Sequence, residues 1–378
     1  SLPYPLIVGA PVIFEAAATY STATVFDSNS NKVVISYRDV GNSSYGTSVV
    51  GTVSGTTITF GTPVVFETAS VNHLRATFDS NSNKVVIVYS DVGNSSYGTA
   101  IVGTVSGTSI SFGTAVVYNS SGISDSGVTF DSTNNKVVIA YQHSTNSNYG
   151  TAIVGTVSGT AISFGTDVVF ETASVASVAA TFDSANNKVV IAYKDEGNSS
   201  YGTAIIGTVS GTAISFGTAA VFEAASTTYI TATFDSNANK VAIAYKDNGT
   251  TYGTAVVGTV SATSISFGTA VVFETASTNN STATFDSSSN RVVISYTDAG
   301  NSSHGTSIAG TISGTSISFG TPVVFEATST TYITATFDSV NNKTVTAYQN
   351  SATYGSAVVS NIPNLLTIGT DYFVQSDG

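Results

Sequence analysis

Short runs of apolar residues, separated by Gly, Asn and Ser, extend along the whole chain. One group comprises residues 76–79, 84–89, 98–105 and 108–117, and its apolar positions are mainly Val, Ile, Phe and Tyr. Runs of this length and composition, bounded by turn residues, are typical of β-strands. No apolar period of 3.6 residues persists over a useful length. The pattern therefore predicts an all-β protein in which helices are nearly absent.

This group of four strands occurs seven times. A Phe-Asp pair marks each copy, and successive pairs are 52 residues apart except for one interval of 51. The Phe residues that define repeat units 1 to 7 are Phe26, Phe78, Phe130, Phe182, Phe234, Phe285 and Phe337. Such a unit is shorter than a β-sandwich domain of about 100 residues and close to the kelch period of about 50. Its second strand is apolar on both faces, as in a sheet packed between two others. The sequence thus predicts a seven-bladed β-propeller with four-stranded blades.

The ends of the chain suggest how the predicted ring closes. Residues 9–15 repeat the pattern of residues 61–67, which is the outer-strand half of a unit. The seventh unit departs from the repeat near Pro363. We therefore expect the N-terminal strand to complete the last blade and remove an exposed sheet edge. We assign residues 1–363 to the propeller and residues 364–378 to a tail or the start of a further segment, and expect the chain to be a piece of a longer protein.

Two connections recur with readable turn chemistry. The sequence Asp-Ser-x-x-Asn precedes Lys or Arg in every unit, as at residues 79–84. A constant Asn at a hairpin end suits a left-handed backbone, which Asn tolerates well. The step Ser106-Gly107-Thr108 and its equivalents predict a second tight hairpin.

Composition excludes several classes of function. Only 9% of residues are charged, against about 25% in typical domains. The chain has 11 Lys and Arg but 23 Asp and Glu. This excess of acidic residues argues against a nucleic-acid partner, because phosphate binding needs a basic patch. The chain has no Cys, and no run approaches the roughly 20 apolar residues of a membrane span. Most charges also recur at fixed positions of the repeat, which indicates scaffold roles.

Catalytic and metal-binding patterns are weak. Asp27 to Asn31 matches the opening of a calcium loop, D-x-N-x-N, but other units change its third position and supply no acid at position 12. An Asp-capped turn is the preferred interpretation, with calcium as the open alternative. A glycosidase needs two carboxylates about 5–10 Å apart, and Asp125 with a neighbouring acid remains the one candidate. We predict no catalytic residue, no metal site and no cofactor.

Variation among the units falls on two sets of loops that open on one face of the predicted propeller. Function is commonly carried by loops on a rigid scaffold, so we expect this face to bind a ligand. Tyr, Asn and small hydroxyl side chains suit glycans, because an aromatic face stacks on a sugar ring. The alternative is that these loops are simply unconstrained. The candidate ligand-binding residues are Tyr20, Arg38, His73, Arg75, Tyr118, Asp125, His143, Tyr229 and Tyr332.

The residue sequence of the repeat resembles that of known repeat proteins. Residues 85–108 read Val-Val-Ile-x-Tyr-x-Asp-x-Gly-Asn-Ser-Ser-Tyr-Gly-Thr-Ala-Ile-Val-Gly-Thr-Val-Ser-Gly-Thr, which resembles repeat proteins of marine bacteriophages and bacteria. The segment from Leu366 to Gly378, which reads Leu-Thr-Ile-Gly-Thr-Asp-Tyr-Phe-Val-Gln-Ser-Asp-Gly, looks like segments of phage fibre proteins. The resemblance implies a virion-surface or extracellular location and other subunits of a larger assembly as partners.

Together these observations predict a non-enzymatic, adhesin-like or lectin-like module that binds a glycan or another polymer of a host or cell surface. A purely structural component of a virion or fibre, without a ligand, is the main alternative. A glycoside-acting enzyme is a further one.

Overall fold

The architecture comes from a computed structural model, which describes residues 6–363. Within this range the chain forms thirty β-strands, three short 3-10 helices and no α-helix. The 3-10 helices are η1 (Val40–Asn42), η2 (Val92–Asn94) and η3 (Ala299–Asn301). The all-β prediction is confirmed, and no helix of the described part is long and apolar enough to cross a membrane. The predicted tail at residues 364–378 lies outside the described residues.

The second and third strands of each unit arise from its most apolar runs. Numbered in chain order, the second strands are β3 (Lys32–Asp39), β7 (Lys84–Asp91), β12 (Lys136–His143), β16 (Lys188–Asp195), β20 (Lys240–Asp247), β24 (Arg291–Asp298) and β29 (Lys343–Gln349). The third strands are β4 (Tyr45–Ser54), β8 (Tyr97–Ser106), β13 (Tyr149–Ser158), β17 (Tyr201–Ser210), β21 (Tyr252–Ser261), β25 (His304–Ser313) and β30 (Tyr354–Asn361). The two strands pair antiparallel, as Val33 with Gly51 in unit 1.

One long strand joins each unit to the next. Five such strands of 16 residues are β2 (Val12–Asp27), β6 (Val64–Asp79), β15 (Val168–Asp183), β19 (Ala220–Asp235) and β23 (Val271–Asp286). The first half of β6 pairs with β4 of unit 1, and its second half pairs with β7 of unit 2. A long strand is therefore the outer strand of one unit and the first strand of its neighbour.

The long strand is divided at two places. Its parts are β10 (Val116–Asn119) and β11 (Ile123–Asp131) between units 2 and 3, and β27 (Val323–Ser329) and β28 (Thr331–Asp338) between units 6 and 7. A short strand precedes the outer half and pairs with the far end of the third strand. These strands are β5 (Thr57–Phe60), β9 (Ser109–Phe112), β14 (Ala161–Phe164), β18 (Ala213–Phe216), β22 (Ser264–Phe267) and β26 (Ser316–Phe319).

The N-terminal residues pair with the last unit. Strand β1 (Ile7–Val8) and the first half of β2 both lie against β30, with Val8 opposite Ser360 and Val12 opposite Ala357. These are the places that β26 and β27 take against β25 in unit 6. The N-terminal segment thus pairs with β30 at the positions that the short and outer strands occupy in unit 6.

The apolar core lies between neighbouring sheets. Ile87 and Leu74 of unit 2 are fully buried in one cluster with Val34 of unit 1. Val345 of unit 7 packs in the same way with Ile35 of unit 1. A tyrosine near the end of each second strand is the largest fully buried side chain of its unit. These residues are Tyr37, Tyr89, Tyr141, Tyr193, Tyr245, Tyr296 and Tyr348. Neighbouring sheets therefore cover both faces of the second strand, which explains its unbroken run of Val and Ile.

The recurrent turns have the predicted geometry. The constant Asn has φ between 53° and 55° in all seven units, at Asn31, Asn83, Asn135, Asn187, Asn239, Asn290 and Asn342. The Asp of each Phe-Asp pair caps the same turn. In unit 1, Asp27 Oδ1 accepts hydrogen bonds from the backbone N–H of Asn29 at 2.9 Å and of Ser30 at 3.0 Å. This carboxylate is occupied by its own turn, which supports the Asp-capped interpretation of the D-x-N-x-N sequence.

Candidate functional site

The first strands of the seven units surround one cavity. Neighbouring first strands touch in the order β2, β6, β11, β15, β19, β23 and β28, and β28 in turn touches β2. Side chains from all seven strands line a cavity of about 510 Å³. This volume is within the usual range for small-molecule sites, about 300–1,000 Å³. Its lining residues in unit 1, Ser21 to Thr24, belong to the part of β2 that pairs with β3, where Ala23 lies opposite Ser36 and Thr24 opposite Ile35.

One position of the repeat forms the mouth of this cavity. It lies five residues before the Phe of each Phe-Asp pair, and we call it the mouth position; its seven residues are Ser21, His73, Asp125, Ser177, Tyr229, Asn280 and Tyr332. In six units its φ is between 49° and 53°, in the left-handed region. The pairing register shifts here, between residues 20 and 23 in unit 1, so a bulge turns this residue out of the sheet. In these six units the side chain varies while the backbone conformation does not.

Unit 3 reaches the same place differently. Its mouth residue, Asp125, is not among the positive-φ residues of the described chain, and the positive φ is at Gly122, with a value of 80°. The register shift falls between Ile123 and Ser126. The divided strand of this unit thus brings a carboxylate to the mouth.

Charged groups cluster on the side formed by units 2 and 3. Arg75 Nη2 lies 3.7 Å from Asp125 Oδ1, and Arg75 Nη1 donates to the carbonyl of Leu74 at 2.9 Å. Both Arg75 and His73 line the cavity. Burial lowers the pKa of the His73 imidazole; the Asp125 carboxylate acts against this, while Arg75 and Arg38 reinforce it. His73 is therefore an uncharged ring at neutral pH.

Aromatic side chains occupy the opposite side. Tyr229 and Tyr332 line the cavity and are 40% and 39% exposed, which is unusual for large side chains in this chain. The Tyr332 ring meets the edge of Tyr20 with centroids 5.4 Å apart. The guanidinium of Arg38 stacks on the Tyr20 ring, 4.8 Å from its centroid, and Arg38 Nη1 donates to Asn72 Oδ1 at 2.5 Å. Tyr20 and Arg38 thus support Tyr332 from outside the cavity.

Hydrogen bonds between units hold the mouth. Ser21 Oγ accepts from the backbone N–H of Leu74 at 3.0 Å, and Asp125 Oδ2 accepts from that of Val178 at 3.3 Å. The Ser126 hydroxyl donates to the carbonyl of His73 at 3.3 Å. Each bond crosses from one unit to the next, so the mouth is a preorganised part of the scaffold.

Seven of the nine candidate residues gather here. His73, Arg75, Asp125, Tyr229 and Tyr332 line the cavity, and Tyr20 and Arg38 pack behind Tyr332. Sequence reasoning missed Ser21, Ser177 and Asn280, which hold the mouth position in units 1, 4 and 6. Counting back five residues from each Phe-Asp pair would have aligned them with the other four.

Tyr118 does not belong to the site. It is 8% exposed and takes the place of the core phenylalanine of other units, such as Phe170. Its ring packs 5.4 Å from Tyr141 and 5.6 Å from Phe164, as the equivalent rings do elsewhere. Its proposed role in ligand contact is corrected to a packing role, because the β-strand places it on the covered face.

His143 is also a structural residue. It replaces the aspartate that follows the buried tyrosine in other units, and its Nδ1 accepts from the backbone N–H of Asn146 at 3.2 Å. Asp39 Oδ1 makes the same bond to Asn42 at 3.1 Å. His143 is not among the cavity-lining residues. His143 thus caps a turn outside the cavity, and its ligand role stays a prediction.

The described residues contain no group of three or more His, Cys, Asp or Glu that could hold a metal ion. Of the carboxylates in the same range, Asp125 alone lines the cavity. The site's chemistry is thus that of polar and aromatic side chains, with one Arg–Asp pair.

Comparisons with known proteins add the fold. No protein-family model and no curated protein sequence matches this chain. Among solved structures, the BP39L lectin from Burkholderia pseudomallei is similar, with a TM-score of 0.67 and 9% identity over 93% of this chain and 100% of that one. A chain of the mitotic checkpoint complex has a TM-score of 0.60 at 8% identity, over 96% of this chain and 98% of its own.

AofleA from Arthrobotrys oligospora is similar too, with a TM-score of 0.53 and 10% identity over 83% of this chain and 91% of its own. At such identities these likenesses bear on the fold alone. The chain has the fold of a β-propeller.

Proposed function

We propose that this protein is a non-enzymatic carbohydrate-binding module, a seven-bladed β-propeller whose ring is closed by the N-terminal strand. Seven sequence units support the blade count. Three observations support closure: β1 and β2 pair with β30, Val345 shares a core cluster with Ile35, and Gln349 Nε2 donates to the carbonyl of Thr19 at 2.5 Å. The last contact repeats the one between Thr297 and Thr330 of units 6 and 7.

The observation that carries the binding function is the mouth itself. Exposed Tyr229 and Tyr332 face a cavity that also holds Arg75, Asp125 and Asn280. A pyranose presents an apolar face and a rim of hydroxyls, and this arrangement offers rings for the first and polar groups for the second. The likeness to the BP39L lectin, which is a lectin by name, agrees with this use of the fold.

A binding role fits better than catalysis. Glycosidases place two carboxylates about 5–10 Å apart across the scissile bond. The cavity presents Asp125 alone among the described acids, and both its oxygens accept backbone hydrogen bonds, from Ser126 and Val178. We place the module on a virion or cell surface because of the sequence resemblance described above.

A structural role in an assembly is the second candidate, and a belt of exposed residues favours it. One branched apolar side chain in the outer strand of each unit is 37–51% exposed. These residues are Ile13, Val65, Val117, Val169, Val221, Val272 and Val324. They would contact other subunits around the rim, away from the mouth.

Binding of the labelled protein to a glycan array, followed by calorimetry on the best ligands, tests the proposal. Tyr229→Ser and Tyr332→Ser are matched changes, because Ser21 and Ser177 hold the same position with φ of 50° and 51°. The double variant should lose about tenfold or more in affinity, since each ring contributes about 0.5–1.5 kcal/mol.

Val221→Ser, on the outer strand, is the control and should bind like the original protein. Absence of binding to every glycan on the array would contradict the proposed function. Self-association that Val221→Ser abolishes would then favour the structural role.

A further inference from the structure

The mouth is chemically two-sided. Following the units in order, His73 and Asp125 stand on units 2 and 3, whereas Tyr229, Asn280 and Tyr332 stand on units 5, 6 and 7. A ligand that spans the cavity meets charged groups at one end and aromatic rings at the other. The sign of the charged group that is free to contact a ligand decides which class of saccharide this mouth favours.

Arg75 retains hydrogen-bonding capacity. Its guanidinium carries five N–H groups, of which one donates to the carbonyl of Leu74 at 2.9 Å. The 3.7 Å separation between Arg75 Nη2 and Asp125 Oδ1 is longer than a hydrogen bond, which spans about 2.7–3.2 Å. The side chain is 41% exposed and lines the cavity. Arg75 can therefore take a second anionic oxygen without releasing its present partners.

Both carboxylate oxygens of Asp125 accept hydrogen bonds from the protein backbone. Oδ1 accepts from the backbone N–H of Ser126 at 2.8 Å, and Oδ2 accepts from that of Val178 at 3.3 Å. These bonds fix the carboxylate beside Arg75. Asp125 thus orients the guanidinium, and the N–H groups of Arg75 that have no partner can contact a ligand in the cavity.

Arg75 is the one cation among the described residues that line the cavity, and its partner Asp125 is the one anion there. Arg38 acts on His73 from outside the cavity, and His73 itself is uncharged at neutral pH. The guanidinium of Arg75 is therefore the group at this mouth that can receive an anionic ligand, although the chain as a whole carries a formal charge of −12.

We propose that the mouth selects a saccharide bearing a carboxylate, such as a uronic acid, with the carboxylate on Arg75 and the sugar face on Tyr229 or Tyr332. This inference rests on the proposed carbohydrate-binding function and adds its specificity. A hydrogen bond between two charged groups is roughly twice as strong as a neutral one, and Arg meets a carboxylate with two parallel N–H groups. A neutral sugar offers the open N–H groups of Arg75 only uncharged acceptors.

Matched ligand pairs test the inference by calorimetry. Methyl glucuronide and methyl glucoside differ only in a carboxylate in place of a hydroxymethyl group, and oligogalacturonate and oligogalactose form a second such pair. The acidic member of a pair should bind about tenfold or more tightly, and its advantage should shrink as salt rises. Arg75→Ala, which copies Ala23 and Ala179 at the same repeat position, should remove this advantage, so that the acidic member of a pair loses about tenfold or more affinity relative to the neutral member.

Lys194→Ala is the control, because Lys194 is a cation that pairs with Glu196 at 3.3 Å and does not line the cavity. It should change neither affinity. Equal binding of acidic and neutral partners, or an equal loss of both in Arg75→Ala, would overturn the specificity while leaving sugar binding intact. Failure of every acidic and neutral probe would instead overturn the proposed function.

Discussion

A single buried hydroxyl distinguishes Tyr118 from the core phenylalanines of the other units. Its oxygen is buried and has no hydrogen-bond partner among the described residues. The ring contacts are those of Phe170 in the outer strand of unit 3, with centroids 5.2 Å from Tyr193 and 5.7 Å from Phe216. The hydroxyl therefore adds a desolvation cost and no compensating contact.

Tyr118→Phe should stabilise the protein by about 1–3 kcal/mol, because it removes an unpaired buried polar group and keeps the ring. The denaturant midpoint in urea, followed by circular dichroism, measures this. Phe170→Tyr is the reciprocal control and should lower the midpoint. A decrease in Tyr118→Phe would show that the hydroxyl has a partner that this structure lacks.

The two candidate residues that lie apart from the cavity share a cause at this scale. Tyr118 and His143 differ from the residue that other units hold at their positions, and that difference alone predicts a ligand role. Tyr118 differs from Phe by one atom, and His143 Nδ1 accepts the same turn hydrogen bond as Asp39 Oδ1. Each replacement preserves the shape or bond that the position needs, so residue identity alone could not separate a substitute from a ligand contact.

At the scale of elements, the tight hairpin after each third strand needs a left-handed residue. Glycine holds that place with φ of 61° or 62° at Gly55, Gly107, Gly159, Gly211 and Gly314. Unit 5 has Ala262 there, with φ of 54°. A Cβ added at Gly211 would meet no atom within 4 Å, so the difference between Gly and Ala is conformational.

Ala262→Gly should therefore stabilise the protein by about 1 kcal/mol, since the left-handed conformation costs an L-residue about 1–2 kcal/mol and glycine's greater freedom when unfolded offsets part of this. The urea midpoint reports the change. Gly211→Ala should shift it by a similar amount in the opposite direction. If both substitutions left the midpoint unchanged, the hairpin would not hold its left-handed turn in solution.

The bulge at the mouth is the element that the sequence concealed. Alternation and turn residues marked the strands, the Asn and Gly turns, and the N-terminal pairing. The left-handed residue at the mouth can be Ser, His, Tyr or Asn, at Ser21, His73, Tyr229 and Asn280. No single residue type signals it, because the bulge is imposed by pairing with the second strand rather than by local preference.

Contacts between the hairpins of neighbouring units recur along the described part of the chain. Glycine at the end of each short strand lies against the hairpin of the next unit, so that a Cβ on Gly61 would stand 1.9 Å from the carbonyl oxygen of Thr108. Gly9 bears the same relation to Thr56, also at 1.9 Å. Gly9 belongs to the strand pairs of unit 7 and Thr56 to unit 1, so this contact joins the first and last units.

Gly9→Ala thus tests ring closure. In a closed ring it should destabilise the protein by about 1–3 kcal/mol, as overpacking against backbone does, and by as much as Gly165→Ala at an internal junction. Thermal unfolding by calorimetry compares the two. Ala10→Ser, at the exposed neighbour of Gly9, is the control and should have no effect. A neutral Gly9→Ala beside a damaging Gly165→Ala would show that the ring is open in solution.

The long strand shared by two units has a consequence for how such a chain changes length over generations. Unequal crossing-over between repeats removes or adds about one period, and it can cut within β6 or β19 and rejoin equivalent halves. Every descendant then keeps whole strands at its junctions, and the N-terminal half-strand remains available to whichever unit comes last. A repeat counted from one Phe-Asp pair to the next is therefore offset from its sheet by half of the long strand, and one whole period can be added or removed without leaving a sheet short of a strand.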